Sequence, residues 1–162
     1  MEKIFTLEEE IKTVAYKIKD VKNMFYLGRK FSYPVALEGA LKMKEISYIH
    51  SEAYQGGEMK HGPLALIEKN FPVIFIAPKD SIYQKSLSNI EEVKARGGKI
   101  ILITDDFKTR VENDNIFIPK IREELTPILT TLPLHLLAYH TAKILRRNID
   151  RPRNLAKSVT VE

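Results

Sequence analysis

A chain of 162 residues, 44% hydrophobic and 29% charged, is long enough for one domain with a sizeable core, and its composition excludes a disordered or fibrous architecture. The net charge of +5 comes from Lys and Arg scattered among Glu and Asp, with no basic run, which argues against nucleic acid as a partner. There is no cysteine, which excludes disulfides, thiolate metal sites and a cysteine nucleophile within this chain.

In chain order, Met1-Glu2-Lys3-Ile4 leads straight into Glu8, Glu9 and Glu10, without the basic-then-apolar layout of a secretory signal. A helix over about 7–19 either packs on the domain or joins it to something upstream. A strand is predicted at 24–28. A helix starts near Pro34, where proline suits the first turn, and continues to about Ile46 with Leu37, Ala40 and Leu41 expected on the core. Residues 48–64, with Gly56-Gly57 and Gly62-Pro63, read as loop.

The nearly continuous apolar runs at 71–77 and 99–104 are expected to be central parallel strands buried on both faces. Between them Asp80 or Ser81 can cap a helix whose apolar positions Tyr83, Leu87, Ile90 and Val93 recur at helical spacing, ended by Gly97-Gly98. Such a strand, helix, strand unit crosses over right-handed. A further strand is predicted at 115–118. The last helix runs from Thr126-Pro127 to about Arg147, with Pro133 expected to bend it. Its apolar stretch at 127–142 carries two prolines and two histidines and falls short of the roughly 18 residues a bilayer span needs. No membrane and no export are indicated, so a cytoplasmic protein is expected. Residues 151–162 show no period. The fold class is α/β: a three-layer sandwich with a mostly parallel central sheet flanked by helices.

Glu38, Lys42 and Glu45 stand at i, i+4 and i+7 and so share one helix face. Spacing alone is compatible with a solvated ion-paired face and with a carboxylate base that has a lysine beside it to stabilise developing negative charge. His61, between Lys60 and Gly62-Pro63, is either an exposed histidine or a general acid or base held in a stiff loop. His135 and His140 lie in the apolar last helix and read as core or interface histidines, and His50 gives no specific signal. Gly28-Arg29 follows the first strand at the carboxyl end, where open α/β sheets bind ligands. No histidine and carboxylate set has metal-ligand spacing, and no glycine fingerprint of a nucleotide site follows any strand, so neither a metal nor a cofactor is expected.

Several long segments then resemble one family. Leu27-Gly28-Arg29, Ala36-Leu37-Glu38-Gly39-Ala40-Leu41-Lys42-Met43-Lys44-Glu45-Ile46-Ser47-Tyr48, Gly57-Glu58-Met59-Lys60-His61-Gly62-Pro63 and Pro152-Arg153-Asn154-Leu155-Ala156-Lys157-Ser158 are similar, in this order, to the C-terminal isomerase region of glucosamine-fructose-6-phosphate aminotransferases. The match covers nearly the whole chain from about residue 20. It implies a flavodoxin-like sugar-isomerase (SIS) fold, with 1–20 as a linker helix from an upstream half, 21–150 as the SIS domain and 151–162 as a catalytic tail.

The resemblance also implies a function. That family moves ammonia from glutamine to fructose 6-phosphate and isomerises the product to glucosamine 6-phosphate for amino-sugar synthesis. By the same resemblance Glu45 is the base between C1 and C2 of the fructosimine, with Lys42 as its electrostatic partner. His61 assists ring opening from a neighbouring subunit, which implies a homodimer. Lys157 forms a Schiff base with the open-chain ketose, an imine being a better electron sink than a ketone. Glu38, Arg29 and Ala156 are the expected substrate contacts.

The family's glutaminase domain, which uses an N-terminal cysteine, has no counterpart in these residues, nor does the serine/threonine-rich phosphate loop of its first SIS domain. A domain cut from a longer enzyme is therefore expected, with Met1 supplied as a start. Two other classes stay open: a stand-alone sugar-phosphate-binding regulatory module, against which the absence of a DNA-binding helix-turn-helix counts, and a one-domain aldose-ketose isomerase.

Overall fold

A computed structural model of the chain describes residues 6–111 and 114–155. Helix α1, Glu8–Ile18, opens with three glutamates that complement the positive helix end, and buries Ile11, Val14, Ala15 and Ile18 at helical spacing. Strand β1, Asn23–Gly28, leads into helix α2, Ser32–Ser47, and strand β2, His50–Gln55, follows. Short 3₁₀ turns at Gly56–His61 and Pro63–Leu66 connect to strand β3, Pro72–Ile76. Helix α3, Tyr83–Lys94, strand β4, Lys99–Thr104, and strand β5, Asp114–Phe117, complete the sheet, and helix α4, Thr126–Ile144, returns across it.

The strand order is β2-β1-β3-β4-β5, with every neighbouring pair parallel. This is the doubly wound order in which the chain reverses direction across the sheet between β1 and β3. Side chains alternate strictly on these strands. Met24, Tyr26, Ile74, Ile76, Ile101 and Ile103 enter one core with α1, α2 and α4. Phe25, Leu27, Val73, Phe75, Ile100 and Leu102 enter another with α3. Helices on both faces make the expected three-layer α/β sandwich. Helix α1 packs with the first of these cores, and Lys17 donates to Asp114 of β5 at 2.5 Å.

Three expectations from the sequence need correction. Leu37 and Leu41 do not face the core: they are 46% and 42% exposed, while Val35, Ala36, Gly39, Ala40, Met43 and Ser47 are buried. The helix carries apolar residues on two adjoining stripes, and the one with small residues wins because α2 must lie close to the sheet. A Cβ at Gly39 would stand about 3 Å from the Tyr26 ring. The second correction is β2, which takes His50–Gln55 out of the loop expected at 48–64. Only Ser51 of His50–Gln55 is buried, because the strand lies at the sheet edge and pairs with β1 alone. Its polar sequence reflects that edge. The helix α4 runs through Pro133 and ends at Ile144, short of Arg147.

His140 is buried in α4 with its Nε2 3.1 Å from Glu8 of α1. Burial pushes the imidazole below its ordinary value; Glu8 pulls the other way, and Lys12 and Lys143 add to the lowering. Protonation of His140 is therefore less favourable in the fold than in the unfolded chain, which takes up a proton near pH 6.5. The stability contributed is present above that pH and lost as the pH falls below it. Between about pH 7.5 and 5.5 wild type is expected to lose more stability, read as melting temperature, than a His140→Gln variant loses. Equal losses in the two proteins would remove His140 from the account.

Candidate functional site

Helix α2 carries the densest set of charged candidates. Its buried stripe turns Glu38, Lys42 and Glu45 outward together, each about one-third exposed. Lys42 donates to Glu45 Oε2 at 2.6 Å, and its Nζ stands 3.9 Å from Glu38 Oε1. The hydrogen bond to Glu45 outweighs partial burial and, with the charges of both carboxylates, holds Lys42 above its ordinary value. The lysine is thus a fixed cation between two carboxylates. Glu38 is also 2.9 Å from His135 Nε2, across the contact between α2 and α4.

The sequence reading assigned His135 to the core or an interface. With its side chain 43% exposed in the single chain it is not a core residue, and no spacing within either helix reveals the pair, because it depends on how α2 and α4 pack.

Beyond Glu45 the helix stops at Tyr48, and a cleft of about 360 Å³ opens between Lys44, Glu45, Tyr48, Arg153, Asn154 and Leu155. The described chain thus returns from α4 to the side of Glu45. Ala156 and Lys157, both site candidates, lie outside the described residues.

The remaining candidates stand elsewhere. Parallel strands require α2 to run back along the sheet, from the carboxyl end of β1 to the amino end of β2. From Ser32 to Glu45, at about 1.5 Å per residue, the helix covers about 20 Å. Arg29 and His61 follow the carboxyl ends of β1 and β2, so within one chain they lie at the opposite end of the sheet from Glu45.

Arg29 Nε donates to Asn89 Oδ1 at 3.0 Å, and its guanidinium lies so close over the Gly56-Gly57 turn that a Cβ at Gly57 would be 2.7 Å from Nη2. It ties β1, α3 and that turn together. His61 is 75% exposed, 3.9 Å from Glu58 Oε2, on a turn held by the Lys60 to Glu92 ion pair at 2.8 Å. His50, which gave no sequence signal, is 3.3 Å from Glu52, whose other oxygen accepts from Tyr54. That hydrogen bond is the main reason the phenol is pushed up to about 12. His50 and Glu52 line a separate cleft of about 460 Å³. Among the described residues no histidine and carboxylate group is arranged to hold a metal ion, and no helix is long and apolar enough to cross a membrane.

With this geometry in view, comparison with known proteins gives a consistent set of relatives. The family model described as the SIS domain matches residues 17–145. The glutamine–fructose-6-phosphate aminotransferase (isomerizing) of Chlorobaculum tepidum is 54% identical over 162 residues, covering 98% of this chain and 26% of that protein. The enzyme of the same name from Pyrococcus horikoshii is 56% identical over 158 residues, covering 96% of this chain and 26% of its own length. Among solved structures, the C-terminal domain of glucosamine-fructose-6-phosphate aminotransferase from Francisella tularensis matches with a TM-score of 0.87 at 41% identity, covering 91% of this chain and 43% of that one. The chain spans about a quarter of the length of the curated relatives it matches.

Proposed function

The chain belongs to the SIS domain family, and from that premise we propose that it is the C-terminal sugar-isomerase half of a glutamine–fructose-6-phosphate aminotransferase. In this reading it converts fructosimine 6-phosphate to glucosamine 6-phosphate. The observation that carries it is Glu45 hydrogen-bonded to Lys42 at the mouth of a cleft that the tail also lines. A single carboxylate on one face of an open-chain sugar can take the proton from C1 and return it to C2. This moves the double bond from C2–N to C1–O through a cis-enolamine, the C1 hydroxyl proton being lost and one proton gained at nitrogen, with no other reactant consumed. Lys42 keeps its charge throughout and stabilises the negative charge that develops on the C1 oxygen.

In the full-length enzyme, a glutaminase domain supplies ammonia and a first SIS domain holds the phosphate. Lys157 activates C2 as an imine until ammonia displaces it. Glu38 is held by His135 and Lys42 on the same face and orients the sugar hydroxyls, with Ala156 contributing from the tail. His61 and Arg29 serve from a second copy of the chain, because within one copy they follow the carboxyl ends of β1 and β2, at the opposite end of the sheet from Glu45; the assembly is then a homodimer. The localisation is cytoplasmic, where sugar phosphates for amino-sugar synthesis are made.

The test uses fructose 6-phosphate deuterated at C1. With glutamine, the full-length enzyme containing this chain is expected to give glucosamine 6-phosphate that carries part of the label at C2; product with none there would remove the one-base transfer. The isolated chain, folded, is expected to give no glucosamine 6-phosphate from the same mixture. Product from the chain alone would overturn its reading as half of an enzyme.

A further inference from the structure

Helix α2 ends in an unusual way. Tyr48 takes the left-handed conformation at φ 66°, and its N–H donates to Lys44 O at 3.2 Å. A residue with a side chain is uncommon there, where glycine is the ordinary choice. The stop turns the phenol ring toward the end of α2, where two guanidinium groups meet it. Arg153 Cζ lies 4.2 Å from the ring centroid and Arg147 Cζ 5.3 Å. The Tyr48 hydroxyl also accepts the backbone N–H of Arg153 at 2.9 Å.

After α4 the chain turns at Arg146, φ 55°, and again at Asn154, φ 60°. Arg151 N–H donates to Asn148 Oδ1 within the segment, and Arg153 N–H ties the segment to the body through Tyr48. Leu155, beyond this anchor, lines the cleft with Glu45.

We propose that Tyr48 is a positioning residue: a clamp whose ring and hydroxyl together seat the segment leading to the carboxyl tail across the end of α2, so that the chain reaches the cleft of Glu45 at Leu155, two positions before Lys157 in the sequence. The clamp itself stands on the Tyr48 geometry, and its consequence for Lys157 rests on the proposed function. Glycine would make an equally good helix stop, so the aromatic side chain is explained by what it holds.

The experiment compares Tyr48→Gly, which keeps the left-handed stop and removes the ring, with Tyr48→Phe, which keeps the ring and removes the acceptor. Amide hydrogen exchange of Arg153, Asn154 and Leu155 in the chain is expected to quicken about tenfold in Tyr48→Gly and about threefold in Tyr48→Phe, with exchange in β3 and β4 unchanged. In the full-length enzyme Tyr48→Gly is expected to lower kcat about tenfold with KM for fructose 6-phosphate within about twofold, since the phosphate is held elsewhere, and Tyr48→Phe to recover most of it. Unchanged exchange at 153–155 in a folded Tyr48→Gly protein overturns the clamp. Borohydride treatment of wild type with fructose 6-phosphate separates the two ideas. If Lys157 gains no sugar, the proposed role of the tail fails, and the exchange comparison still decides whether Tyr48 holds the segment.

Discussion

Replacing Glu45 by glutamine in the full-length enzyme is expected to lower kcat for glucosamine 6-phosphate formation by about 10²–10⁴, the range a positioned general base contributes. That corresponds to roughly 3–5 kcal/mol of transition-state stabilisation. Glutamine has nearly the same shape and keeps an oxygen that can accept from Lys42, so the 2.6 Å contact survives without the capacity to take a proton. Folding should be almost untouched. Glu45 is about one-third exposed, and a pair in that setting contributes at most about 1 kcal/mol. KM for fructose 6-phosphate should also hold, because in the proposed reaction Glu45 acts on C1 and C2, at the far end of the sugar from its phosphate. The comparison is kcat and KM beside a thermal melt. A variant within about threefold of wild type in kcat would assign the proton transfer to another group, whereas a parallel loss of activity and melting temperature would make Glu45 a structural residue.

The legible parts of the fold were those fixed by local pattern. The runs at β3 and β4 are apolar on both faces because helices cover both, and the Gly97-Gly98 stop and the spacing of Tyr83, Ile90 and Val93 define α3 without help from tertiary contacts. What depends on packing was not legible. β2 sits at an edge and buries one residue, so its sequence lacks the signal of a strand. The buried stripe of α2 was decided by how near the helix comes to Tyr26, which its own sequence does not encode. The site shows the same division. Glu38, Lys42 and Glu45 were found as a face because one helix holds all three. The His135 to Glu38 contact and the approach of Arg153 to Tyr48 join residues about a hundred positions apart, and only the folded chain brings them together. The separation of Arg29 and His61 from Glu45 also follows from topology: parallel strands joined by a helix put the end of that helix opposite the ends of its strands.

The direction of α2 is set at its start, which makes Gly28 the most demanding position outside the cores. A Cβ at Gly28 would lie 2.3 Å from Ser32 O, 2.5 Å from Ser32 C and 2.8 Å from Tyr33 N. All three atoms are backbone, in the first turn of α2, so no side-chain rotation relieves the contact. The chain must instead move the helix off the end of β1, where Gly28 is paired on both sides, to Gln55 and to Ile76. Gly28→Ala is therefore expected to cost about 3 kcal/mol, the upper end of what overpacking costs, or about 6–12 °C in melting temperature for a domain of this size. Gly57→Ala is the control. Its Cβ would be 2.7 Å from Arg29 Nη2, the far end of a long side chain that can swing aside, so a loss under about 1 kcal/mol is expected. Similar melting temperatures for the two variants would show that the turn between β1 and α2 yields easily. If it does not yield, Gly28→Ala should also displace Glu38, Lys42 and Glu45 as a unit, since one rigid helix carries them, and in the full-length enzyme it should reduce kcat below the melting transition, where the protein is still folded.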